Sequence, residues 1–276
     1  AIWPDGYYFT YNMFGWNYNR VAACALERTA MLSGDPDARM ILFDLPQNSG
    51  PWSMLPSDLD GTPPAAGTPC YFAYFTDDSW GGSDAIRFWT FKADWNNPSA
   101  SVFEHAFDLP TEPFETYFCS APRGACIPQN GTSQNLEALA DRLMYRLQYR
   151  NFGSYESMVT NHTVNVDGQG HAAIRWYEFR KPNGSAGWNI YQQGTYSPDS
   201  LHRWMGSIAQ NAAGTIALGY TVSGPGKHPS MRYTGRPIDA PLGQMTYEEA
   251  EAVSGVYSQD GYTRWGDYSM MSVDPI

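Results

Sequence analysis

The sequence predicts an all-β protein made of repeated four-stranded antiparallel units, the architecture of a β-propeller. Three observations lead to this prediction: short strand patterns rich in aromatic residues, a repeated motif that closes two of them, and an aromatic residue that recurs at the start of each unit. Repeats of roughly 40 to 50 residues with about four strands each are typical of propeller blades.

The strand patterns are short runs of aromatic and β-branched residues bounded by Gly, Pro, Asn or Asp, which is the usual composition of strands and their turns. Tight turns are predicted at residues 166–170 and 211–214, and helix is expected only near residues 134–141. The clearest strand patterns cover residues 7–11, 70–75, 86–91, 173–179 and 215–222.

Internal repeats divide the chain into units. The motif Phe43-Asp-Leu-Pro46 recurs 64 residues later as Phe107-Asp-Leu-Pro110, each time at the end of a β-rich run. We expect a single propeller domain with a long loop insertion at residues 111–136. Its units are predicted to start near five aromatic residues: Trp3, Trp52, Phe152, Trp204 and Trp265.

One segment is ambiguous between helix and strand. From residue 142 to residue 150, apolar residues alternate strictly with polar ones, which favours a strand beginning near Asp141. Arg142, Arg146 and Arg150 then share one face. An exposed outer strand is the expected setting, and an anion-binding patch is the alternative.

Composition excludes some classes of function. The chain has 17 basic and 28 acidic residues, a net charge of −11, whereas binding to nucleic acid requires clustered Lys and Arg. No apolar run approaches the roughly 20 residues of a membrane-spanning helix. We therefore expect a soluble protein that binds no nucleic acid and does not span a membrane.

The four cysteines indicate an oxidising environment. Cys119 and Cys126 flank a short loop with Pro and Gly, which predicts a disulfide, and Cys24 with Cys70 is the remaining pair, although three connectivities are open. Glycosylation sequons lie at Asn130, Asn161 and Asn183. Together these features favour a secreted or extracellular protein.

Several runs carry a family resemblance, among them Arg264-Trp-Gly-Asp-Tyr-Ser269. The chain resembles a group of large secreted bacterial proteins that are distantly similar to the sialidase-like, BNR/Asp-box propellers. The resemblance implies a propeller and brings no catalytic assignment. The other runs cover residues 141–147, 149–153, 174–178, 191–196, 203–208 and 231–236.

The resembled proteins are longer, and this chain stops one strand into its last predicted unit. An open propeller would expose an unpaired sheet edge and apolar blade faces. We therefore expect a second chain, a missing segment or self-association to complete the ring. A true sialidase is not expected, because Tyr155-Glu156 is only a formal nucleophile pair and no well-formed Asp box is present.

Acidic residues follow four of the predicted unit starts: Asp5, Asp58, Glu156 and Asp267. Strand starts in a propeller converge at one end of its axis, so these carboxylates could serve as a catalytic pair of a glycoside hydrolase. Asp5, Asp58 and Asp267 could equally bind a structural Ca²⁺, the one cofactor considered. The plain alternative is that each caps a tight turn.

The candidate ligand-binding residues are Trp204, Trp265, Arg203, Arg264 and Tyr155. Aromatic rings near unit starts could stack on sugar rings, although packing between blades is their commoner role. The predicted function is glycan binding, as a lectin or a hydrolase, with no reaction assigned and enzymatic activity not favoured. A structural or adhesive module of an extracellular assembly is the alternative.

Overall fold

The computed structural model describes residues 1–15, 18–45, 52–185 and 187–274. About 50% of the chain is strand and 4% is helix, which confirms the all-β prediction. Within the described residues, no helix is long and apolar enough to cross a membrane. The strands form four units, numbered here in chain order.

Unit 1 is a three-stranded antiparallel sheet with strand order β1-β2-β3. Its strands are β1 (Gly6–Gly15), β2 (Tyr18–Glu27) and β3 (Met40–Leu45), and a short helix, α1 (Arg28–Leu32), connects β2 to β3. Because side chains alternate between the faces of a strand, Tyr8, Ala25 and Ile41 point together into the core.

Unit 2 is a four-stranded antiparallel meander with two 3₁₀ turns, Asp78–Trp80 and Pro98–Ala100. The repeated motif ends β3 in unit 1 and the last strand of unit 2, and the predicted role of the motif is confirmed. The strands are β4 (Leu55–Asp60), β5 (Cys70–Thr76), β6 (Ala85–Lys92) and β7 (Val102–Pro110).

The insertion is packed rather than loose. It contains a small two-stranded sheet of β8 (Ala125–Ile127) and β9 (Leu136–Glu137), so the helix expected near residues 134–141 is wrong. Phe118, Ile127 and Leu136 are fully buried in one hydrophobic cluster with Trp204. The aromatic and aliphatic side chains of the insertion thus cover the start of unit 4.

The predicted Cys119–Cys126 disulfide is present, and it closes the loop that precedes β8. Cys24 and Cys70, by contrast, are free and buried, so the predicted second disulfide is wrong. Cys24 lies on β2 of unit 1 and Cys70 begins β5 of unit 2, where the thiol contacts Ser57. Each thiol is packed as a small apolar side chain in its own sheet.

Units 3 and 4 are also four-stranded antiparallel meanders. The predicted turns at residues 166–170 and 211–214 join neighbouring strands of these two units. Unit 3 comprises β10 (Met144–Asn151), β11 (Tyr155–Asn165), β12 (Ala172–Pro182) and β13 (Asn189–Tyr196), and unit 4 comprises β14 (His202–Gln210), β15 (Ile216–Gly224), β16 (Lys227–Arg236) and β17 (Ala250–Val253).

The first strands of units 2, 3 and 4 lie close together. β4 and β10 pair in parallel, with Leu147 opposite Ser57, and this pairing joins units 2 and 3 into one curled eight-stranded sheet. β14 packs across β10, β11 and β12. Ile208, Leu218 and Ile174 meet in the core between units 3 and 4.

The aromatic residues predicted to start the units occupy unequal positions. Trp3 and Trp52 precede β1 and β4, and Trp204 lies within β14. Phe152 instead lies in the turn between β10 and β11, one strand later than the start of unit 3. Trp265 begins an extended stretch, called here the C-terminal segment (residues 265–274), which contains no ladder of its own.

β10 is a central strand and not the predicted exposed outer one. Arg146 and Arg150 are buried, because β10 lies between β4 and β11 and is covered by β14. A register shift between Met144 and Gln148 also breaks the strict alternation seen in the sequence. The buried guanidinium groups bind acidic and carbonyl groups of neighbouring strands instead of facing solvent.

Candidate functional site

Three of the four acidic candidates are held by separate partners. The Asp5 carboxylate accepts a hydrogen bond from the Tyr8 hydroxyl at 2.8 Å. Glu156 accepts from the Tyr149 hydroxyl at 2.7 Å and from Lys181 at 2.8 Å. Neither carboxylate lies in a cluster of acidic side chains among the described residues, so the two do not contribute to the expected ring of carboxylates.

Asp267 lies on the exposed C-terminal segment. Its carboxylate accepts a hydrogen bond from the Nε of Arg264 at 3.0 Å, and both side chains are about half exposed. The two candidates therefore bind each other at the surface. An exposed ion pair of this kind contributes little to stability.

Asp58 is the least exposed of the four acidic candidates. Its carboxylate accepts a hydrogen bond from the Ile2 amide at 3.0 Å and lies 3.7 Å from the Nε of Arg146. Asp60, two residues along β4, binds the same guanidinium. The structure therefore brings two carboxylates together, but around an arginine rather than around an open site.

The predicted ligand-binding residues of unit 4 are in the core. Trp204 has no exposed surface, and its ring lies 6.4 Å from that of the partly buried Trp265. Arg203 is also fully buried and donates to Asp199 and Glu249 at 2.7 and 2.8 Å. The positions of Trp204 and Arg203 do not support contact with a ligand, because both pack beneath the insertion and the last strand of unit 4.

Tyr155 has a packing role as well. Its ring stacks on Phe152 at 4.8 Å, and the Arg180 guanidinium lies 4.4 Å from the ring centre. Tyr155 and Glu156 are consecutive on β11, so their side chains point to opposite faces of the sheet. They do not form the nucleophile pair that a sialidase would need.

The three aspartates considered for Ca²⁺, Asp5, Asp58 and Asp267, do not cluster among the described residues. A different acidic group, formed by Asp77, Asp78 and Asp84, lies between β5 and β6. Asp77 accepts from the Thr116 amide at 3.0 Å and Asp84 from the Phe114 amide at 2.9 Å. These carboxylates anchor the beginning of the insertion to unit 2.

An open cleft of about 340 Å³ lies where four parts of the chain meet: β1, the start of β4, the start of β10 and the C-terminal segment. We call it the tyrosine cleft and define it by Tyr11, Tyr145, Tyr268, Asn12 and Ser53. Tyr11 and Tyr268 are 38% and 45% exposed, so the cleft presents aromatic surface to solvent.

Polar groups of the tyrosine cleft are fixed by short-range contacts. The Asn12 amide donates to the Ser53 hydroxyl at 3.2 Å and accepts from the Ser53 backbone N–H at 3.3 Å, which ties β1 to the start of β4. Burial, and in second place the charge of Asp58, raises the pKa of the Tyr145 hydroxyl. The Tyr145 hydroxyl is therefore neutral near pH 7, and it interacts with the Asp58 carboxylate.

A smaller cavity of about 80 Å³ adjoins the tyrosine cleft. Its walls include Trp52 and Trp80, both more than one-third exposed, and Arg142. The Arg142 guanidinium donates to Asp141 at 2.8 Å and interacts with the Tyr268 hydroxyl, so Arg142 connects the two cavities. Together they form one surface rich in aromatic rings and hydrogen-bonding groups.

Another cavity, of about 440 Å³, lies beside the loop at residues 61–69. It is lined largely by Pro and Ala, with Asp5 and Lys92 as its charged side chains. Its aromatic rings, Trp3 and Phe91, are buried and offer little surface for stacking. The tyrosine cleft is therefore the better candidate for recognition of a ligand with apolar and polar faces.

Sequence reasoning missed all five residues of the tyrosine cleft. Tyr11 belongs to a predicted strand, Tyr145 to the ambiguous segment and Tyr268 to a run used for the family resemblance, but none was singled out. The available signal was the abundance of tyrosine, 19 residues in the chain, which does not show where the rings meet.

Comparison with known proteins found no similar protein-family model, no similar curated protein and no similar solved structure. The resemblance to sialidase-like propellers therefore remains a prediction from the residues quoted above.

Proposed function

We propose that this protein is a non-catalytic glycan-binding module with a propeller-like arrangement of sheets, and that the tyrosine cleft is its binding site. The observation that carries the proposal is the exposure of Tyr11 and Tyr268 at one open cleft that also contains Asn12 and Ser53. Sugar rings combine an apolar face with hydroxyl groups, so a site that combines aromatic rings with amide and hydroxyl groups suits them.

The expected ligand is an uncharged oligosaccharide. The chain carries a net charge of −11, and the guanidinium groups near the cleft, Arg142 and Arg146, already bind carboxylates of this protein. An acidic glycan would meet a repulsive field, and these two guanidinium groups are already engaged. The adjoining cavity with Trp52 and Trp80 offers a place for a further sugar unit.

Hydrolysis is not favoured by the positions of the acidic residues. A glycoside hydrolase needs two carboxyl groups on opposite sides of the bond that is cleaved. Asp58 and Asp60 both bind Arg146, and Asp5, Glu156 and Asp267 each bind other side chains. A secreted protein could be either a lectin or a hydrolase. The pairing of these carboxylates with other side chains of the protein is what favours glycan binding without hydrolysis.

A glycan array of neutral and acidic oligosaccharides, followed by calorimetry on the best ligand, tests the proposal. Tyr268→Ala and Tyr11→Ala should each weaken binding about tenfold or more, which corresponds to about 1.4 kcal/mol. Tyr262→Ala is the matched control, because Tyr262 is 78% exposed and lies outside the cleft. Absence of any binding, or equal affinity in all three variants, would overturn the proposal, and release of free sugar would replace it with a hydrolase.

A further inference from the structure

A pocket between units 1 and 2 differs in chemistry from the tyrosine cleft. It is the cavity of about 440 Å³ where the residues before β1, the loop between β4 and β5, and the end of β6 meet. We call it the loop pocket and define it by Asp5, Pro63, Pro64, Ala66, Phe91 and Lys92. Its volume is in the range of pockets that hold small organic ligands.

The aromatic part of the loop pocket is fixed in place. Trp3 and Phe91 line the pocket and are both buried. The indole N–H of Trp3 donates to the Ser57 carbonyl at 2.6 Å, and the Phe91 ring packs edge-on against Tyr8 at 5.3 Å. Because the indole N–H is already bonded, these two rings offer an apolar boundary and no polar group to a ligand.

A second wall is the loop itself, which is rich in Pro and Ala. Pro63 and Pro64 have no backbone N–H to donate, and their rings restrict the backbone. The loop closes in a turn in which the Thr68 N–H donates to the Ala65 carbonyl at 3.1 Å, and Gly67 has a φ of +83°, which favours glycine. This preorganised wall suits an apolar group better than a sugar, whose hydroxyl groups need hydrogen-bonding partners.

Two opposite charges line the loop pocket without neutralising each other. The Asp5 carboxylate is oriented by the Tyr8 hydroxyl, which donates to it at 2.8 Å, and Lys92 is exposed at the end of β6. Among the described residues, neither Asp5 nor Lys92 forms an ion pair, with the other or with a third group. The other two lysines of the chain, by contrast, bind Glu156 and Glu251.

We propose that the loop pocket binds a free α-amino acid with a large apolar side chain. The side chain would fill the space between the loop and the buried rings, the ammonium group would bind Asp5, and the carboxylate would bind Lys92. The flexible four-carbon stem of lysine lets its ammonium group adjust to the ligand.

Charge complementarity selects this class of ligand. An apolar acid would meet the Asp5 carboxylate and an apolar amine would meet the Lys92 ammonium, each as a repulsive contact. A neutral apolar molecule would leave both charges without a partner. Only a ligand that carries both charges beside an apolar group matches the walls and the two ends of the pocket together.

Isothermal titration calorimetry with the intact chain and L-phenylalanine as the probe tests the proposal. Phenylalanine should bind saturably, and N-acetylphenylalanine and phenylalaninamide, which each lack one charge, should bind about tenfold more weakly or worse, because each loses a charge-assisted hydrogen bond. Serine keeps both charges but lacks the apolar group, so it should also bind much more weakly.

Variants of the two charged residues identify the contacts. Lys92→Gln should weaken phenylalanine binding about tenfold but should not weaken binding of phenylalaninamide, which has no carboxylate. Asp5→Asn, which keeps an acceptor for the Tyr8 hydroxyl, should weaken phenylalanine binding but not that of N-acetylphenylalanine. Lys227→Gln is the matched control, because Lys227 lies in unit 4 and binds Glu251.

Three results would overturn the proposal: no heat of binding with phenylalanine up to about 10 mM, equal affinity for phenylalanine and its two singly charged derivatives, or equal affinity for phenylalanine and serine. Tyr268→Ala should leave phenylalanine binding unchanged, since Tyr268 lies in the tyrosine cleft and not in the loop pocket. The amino-acid site and the glycan site are therefore tested separately.

Discussion

Acid should destabilise this protein in part through one buried histidine. His162 on β11 has no exposed surface, its Nε2 lies 2.9 Å from the Tyr177 hydroxyl, and its ring stacks on Phe75 at 4.5 Å. Burial, with a smaller contribution from the charge of Arg175, lowers the pKa of His162 from 6.5 to about 3. The folded protein therefore keeps this imidazole neutral under conditions in which the unfolded chain protonates it.

The difference in pKa between the folded and unfolded states sets how the free energy of unfolding changes with pH. Above pH 6.5 the imidazole is neutral in both the folded and the unfolded state, so His162 does not lower the free energy of unfolding there. As the pH drops from 6.5 toward 3, the unfolded chain binds a proton that the folded protein does not, and the free energy of unfolding falls. Each pH unit in this window costs about 1.4 kcal/mol. At pH 4.5, two units below the unfolded value, the loss attributable to His162 is about 3 kcal/mol.

The assay compares urea unfolding at pH 7.0 and pH 4.5 for the wild type and for His162→Phe, which keeps an aromatic ring in the stack. The lost hydrogen bond to Tyr177 lowers stability by about 1 kcal/mol at both pH values and cancels in the difference. The variant should lose about 3 kcal/mol less than the wild type on acidification. His105→Phe is the control, because the His105 side chain is 46% exposed.

His202 contributes in the same direction and remains in the variant. Burial, and in second place the nearby His171, lowers the pKa of His202 to about 4. His162→Phe should therefore keep part of the acid sensitivity of the wild type. An unchanged difference between pH 7.0 and pH 4.5 in His162→Phe would refute the reasoning, since it would mean that His162 binds a proton equally well in both states.

Two further predictions concern stabilising contacts. Thiol titration of the unfolded, unreduced protein should find two reactive thiols, those of Cys24 and Cys70, and a count of four would contradict the Cys119–Cys126 bond. Replacement of Cys119 and Cys126 by Ser should lower the free energy of unfolding by about 2 kcal/mol. Arg203→Met should cost about 3 kcal/mol in chemical denaturation because the largely buried Glu249 carboxylate loses one of its two arginine partners. Arg264→Met, at a half-exposed ion pair, should cost less than about 1 kcal/mol. Similar losses in the two arginine variants would contradict this contrast.

The two Arg-Trp dipeptides show that similar sequences can lie in different structural environments. Arg203-Trp204 and Arg264-Trp265 look alike in the sequence, and both were predicted to contact a ligand. The first pair is buried in β14 because strands follow it and the insertion covers it, whereas the second begins a segment without a sheet of its own. Local sequence predicts strand-forming tendency, but the neighbours of a strand decide whether its side chains are accessible.

Predictions from short sequence motifs were confirmed where the structure depends on residues that are close in sequence. The Phe-Asp-Leu-Pro copies end strands, and the short loop between Cys119 and Cys126 is closed by a disulfide. The predictions for Cys24 with Cys70 and for the exposed arginines of residues 142–150 failed for one reason. Both depend on which strands become neighbours, and the parallel pairing of β4 with β10 has no counterpart in the sequence pattern.

The candidate site lies away from the predicted acidic residues for a related physical reason. Carboxylates at the starts of strands can converge only if those starts share one end of an axis and remain open there. Here the region between β4 and β10 is filled by Asp58 and Asp60 with Arg146 and Arg150, so two positive charges offset two negative ones inside the protein. The open surface lies beside it, where Tyr11 and Tyr268 are exposed. A site of neutral aromatic rings above a neutralised charged cluster suits binding of an uncharged ligand better than proton transfer to it.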